Sequence, residues 1–410
     1  MDMNKSVLGK YAHLIAKVGV NVQPGQEVIV HAELDQPGFV EMVVEECYKL
    51  GAKKVSVEWS HQALTRSHVK YCEDEVLGSL EDWQLAKWER QVEVTPCKIY
   101  LLSEDPDGLD GINQSKFAAA MAKRAKLIKP IRQRMENKYQ WCIAAVPGRE
   151  WAKKVFPTLR VGAAVEKLWE AILMTARVTD DPVAAWEAHN ADLMKRCDYL
   201  NSLGLVKLVY KSDNGTDLTV GVSPEILFMG GGERALGSGI YFNPNIPSEE
   251  IFTSPVRGEA DGIVYSSKPL AYNGALIENF SIRFEGGRAV EVKAEKNEEV
   301  LRELIGMDEG AAYLGECALV PYTSPIRESG ILFYNTLFDE NAACHLALGR
   351  GFTNLYRGYE NMTEEEIHEK GINDSIVHED FMIGTADLSI TGVTRDGSEV
   401  KIFERGEWAF

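Results

Sequence analysis

The chain has 410 residues, 45% of them apolar and 26% charged, and carries a formal net charge of −18 at pH 7. Its length favours two domains, and its composition is typical of a globular protein. The negative charge argues against nucleic-acid binding, and no apolar run approaches the ~18–20 residues that a membrane span requires. An N-terminus without a signal-peptide core and seven scattered cysteines without a Cys-x-x-Cys pair predict a cytoplasmic protein with reduced thiols.

The first half of the chain alternates strand patterns with helix patterns. Residues 27–31 predict a strand, and apolar residues then recur at helical spacing between residues 39 and 50. Residues 54–59 predict the next strand and complete a βαβ unit. Two more buried strands are predicted at residues 98–102 and 141–146. This order favours a mainly parallel sheet with helical crossovers.

The second half is rich in hairpin signals. Residues 162–204 predict two helices that are separated at Asp181-Pro182. Beyond residue 205, strand patterns flank the turn signals Asn214-Gly215, Gly286-Gly287 and Asp396-Gly397. We therefore expect an α/β N-terminal domain at residues 1–200, with a mainly parallel sheet, followed by a β-rich α+β domain at residues 201–410.

Two histidines near the C-terminus lie among acidic residues. His345 follows Glu340 by five positions, and His378 precedes Asp380 by two. Imidazole combined with carboxylate is a ligand set for Zn²⁺, Mn²⁺ or Co²⁺. Apolar neighbours predict a strand around residue 378, so that His378 and Asp380 share one face. Glu340 and His345 are expected at a loop-to-helix junction after a strand at residues 331–338. Taken alone, each pair is more often the polar end of an element than a metal site.

Two further carboxylates extend this ligand set. Glu316 lies in an apolar stretch, where a carboxylate must be protonated, paired or bound to a cation, and Arg327 is an alternative partner for it. Glu250 follows a proline-rich loop, and we prefer it to its neighbour Glu249. So many acidic ligands suit two ions. Two divalent ions about 3.5–4 Å apart commonly activate water against an amide or a phosphate ester.

Other chemistries find less support in the sequence. Cys317 and Cys344 adjoin proposed ligands but are better explained as small buried residues than as nucleophiles. The glycines at residues 230–239 do not match a dinucleotide-binding motif, which disfavours a nucleotide-dependent oxidoreductase. Two alternatives remain open beside a peptidase. They are another metallohydrolase, such as an amidase, deacetylase or phosphoesterase, and a metal-stabilised binding protein without turnover.

The whole chain resembles the thermophilic-type metallo-aminopeptidases of peptidase family M29, which include aminopeptidase T. The likeness is carried by motifs spread along the chain, at residues 10–26, 151–157, 245–253, 315–316, 341–349 and 378–384. The resemblance implies a homodimer that acts on peptide substrates and binds two divalent ions, Zn²⁺, Co²⁺ or Mn²⁺, in its C-terminal domain. It places the metal ligands on Glu250, Glu316, Glu340, His345, His378 and Asp380.

The hypothesis that follows is a metal-dependent aminopeptidase, which releases N-terminal amino acids by means of water activated between two ions. Glu316 is expected to bridge the ions, and either Glu316 or Glu250 is expected to act as the general base. One motif departs from the family. After His345 the family often carries a Tyr-Pro pair, where this chain has Phe352-Thr353, and Tyr356 is a candidate substitute for the missing tyrosine.

Overall fold

The computed structural model describes residues 5–272 and 275–410. The chain divides into two compact units. Unit 1 extends to Glu187 and includes Gly232–Pro247, and unit 2 comprises Ala188–Gly231 and Ser248–Phe410. The sequence suggested a single domain boundary between residues 200 and 201. It gave no sign that residues 232–247 return to unit 1. Among the described residues, no helix is long and apolar enough to cross a membrane.

The helices are concentrated in unit 1, and the last long one contains the boundary between the units. In chain order the helices are α1 (Lys5–Leu14), α2 (Pro37–Lys49), α3 (Gln62–Tyr71), α4 (Asp74–Leu77), α5 (Asp82–Val94), α6 (Gln114–Gln133), α7 (Arg149–Val155), α8 (Val161–Thr175), α9 (Pro182–Ser202), α10 (Glu298–Ile305), α11 (Pro325–Glu328), α12 (Thr336–Asp339) and α13 (Glu364–Glu369). The break predicted at Asp181-Pro182 is confirmed, because Pro182 begins α9.

The strands are concentrated in unit 2. In chain order they are β1 (Glu27–Glu33), β2 (Lys54–Ser60), β3 (Cys97–Leu102), β4 (Trp141–Ala145), β5 (Leu205–Lys211), β6 (Asp217–Gly221), β7 (Met229–Gly230), β8 (Glu233–Arg234), β9 (Tyr241–Phe242), β10 (Asn245–Ile246), β11 (Ile251–Thr253), β12 (Ala260–Tyr265), β13 (Leu270–Tyr272), β14 (Ala275–Ile277), β15 (Ser281–Glu285), β16 (Arg288–Lys293), β17 (Leu314–Leu319), β18 (His345–Gly349), β19 (His378–Met382), β20 (Ser389–Thr394), β21 (Glu399–Glu404) and β22 (Glu407–Trp408).

Unit 1 contains a parallel sheet with the strand order β10-β4-β3-β1-β2. The predicted βαβ unit is confirmed, because β1 and β2 are parallel neighbours joined through α2. Pro37 occupies the first turn of α2, where its missing N–H costs no hydrogen bond. Gly51 follows the helix with φ +98°, a conformation that favours glycine after a helix end. Strand β10 brings residues 245–246 into this sheet beside β4.

Among the described residues, unit 2 contains two antiparallel sheets of five or more strands, in addition to the two-stranded pair β13-β14. The larger has the order β16-β15-β12-β6-β5-β20-β21-β22 and includes all three predicted hairpins. The smaller has the order β19-β18-β17-β11-β7. Both sheets contribute to one apolar core, with Leu208 and Ile390 from the larger sheet and Leu346 and Phe381 from the smaller. The expected fold class, an α/β part followed by a β-rich α+β part, is confirmed.

The strand predicted at residues 331–338 is wrong, as is the loop-to-helix junction after it. The side chain of Asp339 accepts hydrogen bonds from the N–H groups of Phe333 and Asn335 and folds this segment into a turn that enters α12. The rings of Phe333 and Phe338 stack with their centroids 4.5 Å apart. Strand β18 then begins at His345. Local hydrogen bonding to a carboxylate therefore overrides the apolar pattern that suggested a strand.

Candidate metal centre

The smaller sheet of unit 2 presents polar side chains on one face and apolar side chains on the other. Its core face is formed by Leu314, Cys317, Leu319, Leu346, Leu348 and Phe381. Because side chains alternate along a strand, the opposite face carries Glu316 on β17, His345 on β18, and His378 and Asp380 on β19. The confirmed strand at β19 places His378 and Asp380 on the same face, as their spacing predicted.

The register of the three strands brings the carboxylates together. Ala347 of β18 lies opposite Glu316 on one side and opposite Asp380 on the other. Its small side chain leaves space between the two longer ones. The pairing of β17 with β18 shifts between Leu314 and Glu316, which allows Leu314 and Cys317 both to reach the core. Gly315 lies at this irregularity, and a Cβ there would lie 2.3 Å from the carbonyl oxygen of Arg350.

The ligand atoms form two groups that share one carboxylate. The first group is Glu250, Glu316 and His345, and the second is Glu316, His378 and Asp380, with the atoms of each group within 4.8 Å of one another. Oε2 of Glu250 lies 3.2 Å from Nε2 of His345. Nε2 of His378 lies 3.1 Å from Oε2 of Glu316. The structure thus brings five of the six predicted ligands together.

Glu340 is the sixth predicted ligand. It belongs to neither of the two ligand groups found among the described residues, but it lies close to them. It follows α12, and its Oε1 accepts a hydrogen bond from Nδ2 of Asn341 at 3.3 Å. Burial raises the pKa of Glu340 well above its usual value, and the negative charges of Asp380 and Glu250 raise it further. These charges show that Glu340 belongs to the same electrostatic environment.

Both histidines are oriented by backbone carbonyls. Nδ1 of His345 donates to the carbonyl oxygen of Ala343 at 3.1 Å, and Nδ1 of His378 donates to that of Arg350 at 2.7 Å. A carbonyl oxygen can only accept, so each Nδ1 carries the proton. The Nε2 atom of each ring is therefore the one directed toward the carboxylates, and this is the arrangement typical of metal-ligating histidines.

The pKa shifts reflect an excess of buried negative charge. Burial raises the pKa of Glu316 to about 7, and the charges of Asp380 and Glu250 add to the effect, although a hydrogen bond from His378 opposes it. Burial alone would lower the pKa of the imidazoles, but the carboxylates outweigh it and raise the pKa of His345 to about 10 and that of His378 well above its usual value. Burial disfavours ionised Asp380, yet the charge of His378 lowers its pKa.

The donor set fits divalent cations. Oδ1 of Asp380 is buried and has no hydrogen-bond partner among residues 5–272 and 275–410, although Nε2 of His378 lies 3.4 Å away. Arg327, the alternative partner proposed for Glu316, instead places its guanidinium 3.6 Å from the centroid of the Tyr322 ring. Glu250 pairs with His345, and Glu316 and Asp380 both pair with His378. Four carboxylates outnumber these two imidazoles, and a bound cation removes the cost of burying the excess negative charge.

Asn341 supports the centre, although the sequence interpretation did not select it. Its side chain is fully buried, accepts a hydrogen bond from the N–H of Glu249 at 2.7 Å and donates one to the carbonyl of Leu337 at 3.0 Å. It therefore ties the turn that carries Glu340 to the segment that carries Glu250. In the sequence, the signal for Asn341 was its position next to Glu340. Segments that carry metal ligands need polar side chains to fix their backbones.

The position that departs from the family motif contacts a ligand directly. The ring of Phe352 lies with its centroid 5.0 Å from that of His378 and 5.2 Å from that of Phe252. Phe352 and Tyr356 both pack against a small apolar cluster that contains Ile226 and Leu355. Phe352 therefore offers His378 an apolar wall.

Cys317 and Cys344 are fully buried, and burial raises the pKa of each thiol to about 12. The sulfur of Cys344 donates to the carbonyl oxygen of Val320 at 3.3 Å. A thiol that stays protonated is a poor nucleophile. The prediction that both cysteines are small buried residues is confirmed.

An α/β unit and a β-rich unit with a buried set of imidazole and carboxylate donors define a metal-dependent enzyme. The chain matches the family described as thermophilic metalloprotease (M29) over residues 4–408, and it belongs to that family. Aminopeptidase AmpS of Bacillus subtilis (strain 168) is 42% identical over 412 residues, which cover 100% of each chain. Aminopeptidase T of Thermus thermophilus is 39% identical over 410 residues, again with 100% of each chain covered.

A solved structure of a relative agrees with this assignment. The structure of wild-type AmpT from Thermus thermophilus matches with a TM-score of 0.91 and 38% identity, covering 100% of both chains. A 2,5-dihydroxypyridine dioxygenase from Pseudomonas putida KT2440 matches with a TM-score of 0.54 and 13% identity, covering 100% of this chain and 98% of the other. The second likeness concerns the fold alone, because unrelated chemistries can occupy one fold.

Proposed function

We propose that the protein is an aminopeptidase that releases N-terminal residues from peptides and uses two divalent ions, Zn²⁺, Co²⁺ or Mn²⁺. The observation that carries the proposal is the pair of ligand groups that share Glu316. Glu250 and His345 would hold one ion, His378 and Asp380 the other, and Glu316 both, with Glu340 completing the set. Four ionised carboxylates carry four negative charges, which two divalent cations offset. The names of the relatives support the same activity.

Bound divalent ions supply Lewis acidity toward a scissile carbonyl and toward water. The protein supplies position and proton transfer. The carbonyls of Ala343 and Arg350 hold the two imidazoles in place, and Asn341 holds the segment of Glu250. We propose Glu316 and Glu250 as the catalytic carboxylates. Both face the shared region, where a carboxylate within hydrogen-bond reach of the attacking water can take up its proton.

The decisive experiment measures metal content per chain and activity in the same preparations. We expect about two ions per chain, loss of activity toward aminoacyl anilides after chelation, and recovery on adding Zn²⁺, Co²⁺ or Mn²⁺. N-acetylation of the substrate should abolish hydrolysis, because an aminopeptidase requires the free amine. Activity that is untouched by chelators would contradict the proposal, and equal hydrolysis of acetylated substrates would favour an amidase or deacetylase.

A matched substitution separates an enzyme from a metal-stabilised binding protein. Glu316→Gln keeps the size of the side chain and removes its charge, so we expect loss of turnover with the secondary structure retained. A binding protein would keep its full function in this variant. The homodimer implied by the family resemblance stays a prediction, which the mass in solution, measured by light scattering, tests.

A further inference from the structure

A small cavity of about 50 Å³ adjoins the metal centre in unit 2. Its lining combines an acidic end, with Glu340 and Asp380, and an apolar wall that includes Leu276, Leu332 and Met382. Met382 lies on the same face of β19 as Asp380 and pairs with His345 across the strands. The cavity is therefore a continuation of the ligand-bearing face.

Strands β13 and β14 provide part of this wall. Leu270 pairs with Ile277, and both belong to the apolar core. Ala271 pairs with Leu276, and both line the cavity together with Leu270. Ala271 is exposed, so its methyl group marks a place where the volume of the cavity can be changed without disturbing the core.

Asn335 supplies an acceptor at the cavity that the metal centre does not explain. It occupies the position before α12, where an asparagine side chain usually accepts a hydrogen bond from the first turn. Here that side chain makes no such bond, and its backbone N–H donates to Asp339 instead. Oδ1 of Asn335 is buried without a hydrogen-bond partner in the part of the chain that the structure describes. A buried acceptor is costly unless a ligand brings it a donor.

We infer that this cavity binds the N-terminal residue of the peptide, an inference that rests on the proposed function. The α-ammonium group donates to Oδ1 of Asn335 and lies near the carboxylate of Glu340, and the side chain lies against the apolar wall. The acidic end favours a positively charged amine over an acetylated one. The apolar wall and the small volume favour compact apolar side chains over one as large as tryptophan.

Two variants and a matched control test this assignment in the metal-loaded protein. Ala271→Phe fills the cavity and should lower kcat/KM for leucine anilide relative to alanine anilide by at least about 10-fold. Val290→Phe makes a similar change at an exposed position of β16 and should leave both values unchanged. Titration calorimetry with free L-leucine gives a second readout, and Ala271→Phe should weaken its binding.

The ammonium contact is tested by two changes at one position. Asn335→Leu removes the acceptor and should lower kcat/KM for all free-amine substrates by about 10-fold or more, whereas Asn335→Asp keeps an acceptor and should retain most of the activity. Metal content and circular dichroism check that each variant is folded and loaded. If Ala271→Phe fails to fold, the Asn335 pair decides the question.

An active wild-type protein with unchanged side-chain preference and unchanged leucine affinity in Ala271→Phe would overturn the assignment of the cavity. Equal activity in Asn335→Leu and wild type would overturn the ammonium contact. A wild-type protein that releases no N-terminal residue would instead refute the proposed function, so the two failures are distinguishable.

Discussion

Substitution of Glu316 by glutamine should make the ion-free protein more stable at neutral and alkaline pH while it abolishes activity. Burial raises the pKa of Glu316 from 4.5 to about 7. In this pH range the folded protein holds a proton that the unfolded chain has released, so the free energy of unfolding decreases as the pH rises. At 1.36 kcal/mol per pH unit, the loss amounts to about 3 kcal/mol once the pH exceeds 7.

The Glu316→Gln side chain cannot ionise, and its oxygen can still accept the hydrogen bond from His378. The variant should therefore lack this part of the pH dependence, with an advantage of about 3 kcal/mol over wild type at pH 8 compared with pH 4.5. Urea unfolding of chelator-treated protein at both pH values measures the difference. Glu285→Gln, at an exposed position of β15, serves as the control and should behave as wild type. Identical pH dependence in wild type and Glu316→Gln would refute the reasoning.

Three further substitutions test the supports of the centre. Asn341→Ala leaves the buried N–H of Glu249 without its acceptor and should lower the free energy of unfolding by about 2–3 kcal/mol, measured by urea titration. Gly315→Ala places a Cβ against the carbonyl of Arg350, so we expect at least about 10-fold weaker metal affinity in competition with a chelator, and unchanged affinity would argue against this crowding. Phe352→Ala should cost about 2 kcal/mol through lost packing, whereas Phe352→Tyr should keep that stability in thermal unfolding.

Much of the architecture could be predicted from local patterns. The βαβ unit at β1, α2 and β2 follows from apolar spacing and from Gly51, because a helix end and a left-handed backbone need that residue. The hairpin at Asn214-Gly215 follows from the backbone preferences of its turn. These features depend on residues that are neighbours in sequence. Such local preferences act in the same way whatever the tertiary surroundings.

Local patterns did not predict the structure where it depends on a distant part of the chain or on a hydrogen-bonding carboxylate. The apolar run at residues 331–338 does not form a strand, because Asp339 captures two of its N–H groups. The return of residues 232–247 to unit 1 depends on the pairing of β10 with β4, and two-residue strands leave no periodic signal. The acceptor of Asn335 was equally hidden, because its lack of a partner depends on the surrounding fold.

The sequence by itself determined the kinds of ligand and one piece of their geometry, since the alternation of a strand places His378 and Asp380 on one face. The six candidate ligands were selected from their residue types and neighbours, and the resemblance to a family settled the choice of Glu250 over Glu249. Glu316 was expected to bridge the ions, but only the tertiary structure decided how the other ligands divide into two groups around it and that Glu340 stands apart from them. The physical reason is that strand register, set by the irregularity at Gly315 and by the small side chain of Ala347, controls which buried charges meet, and register is a property of paired strands.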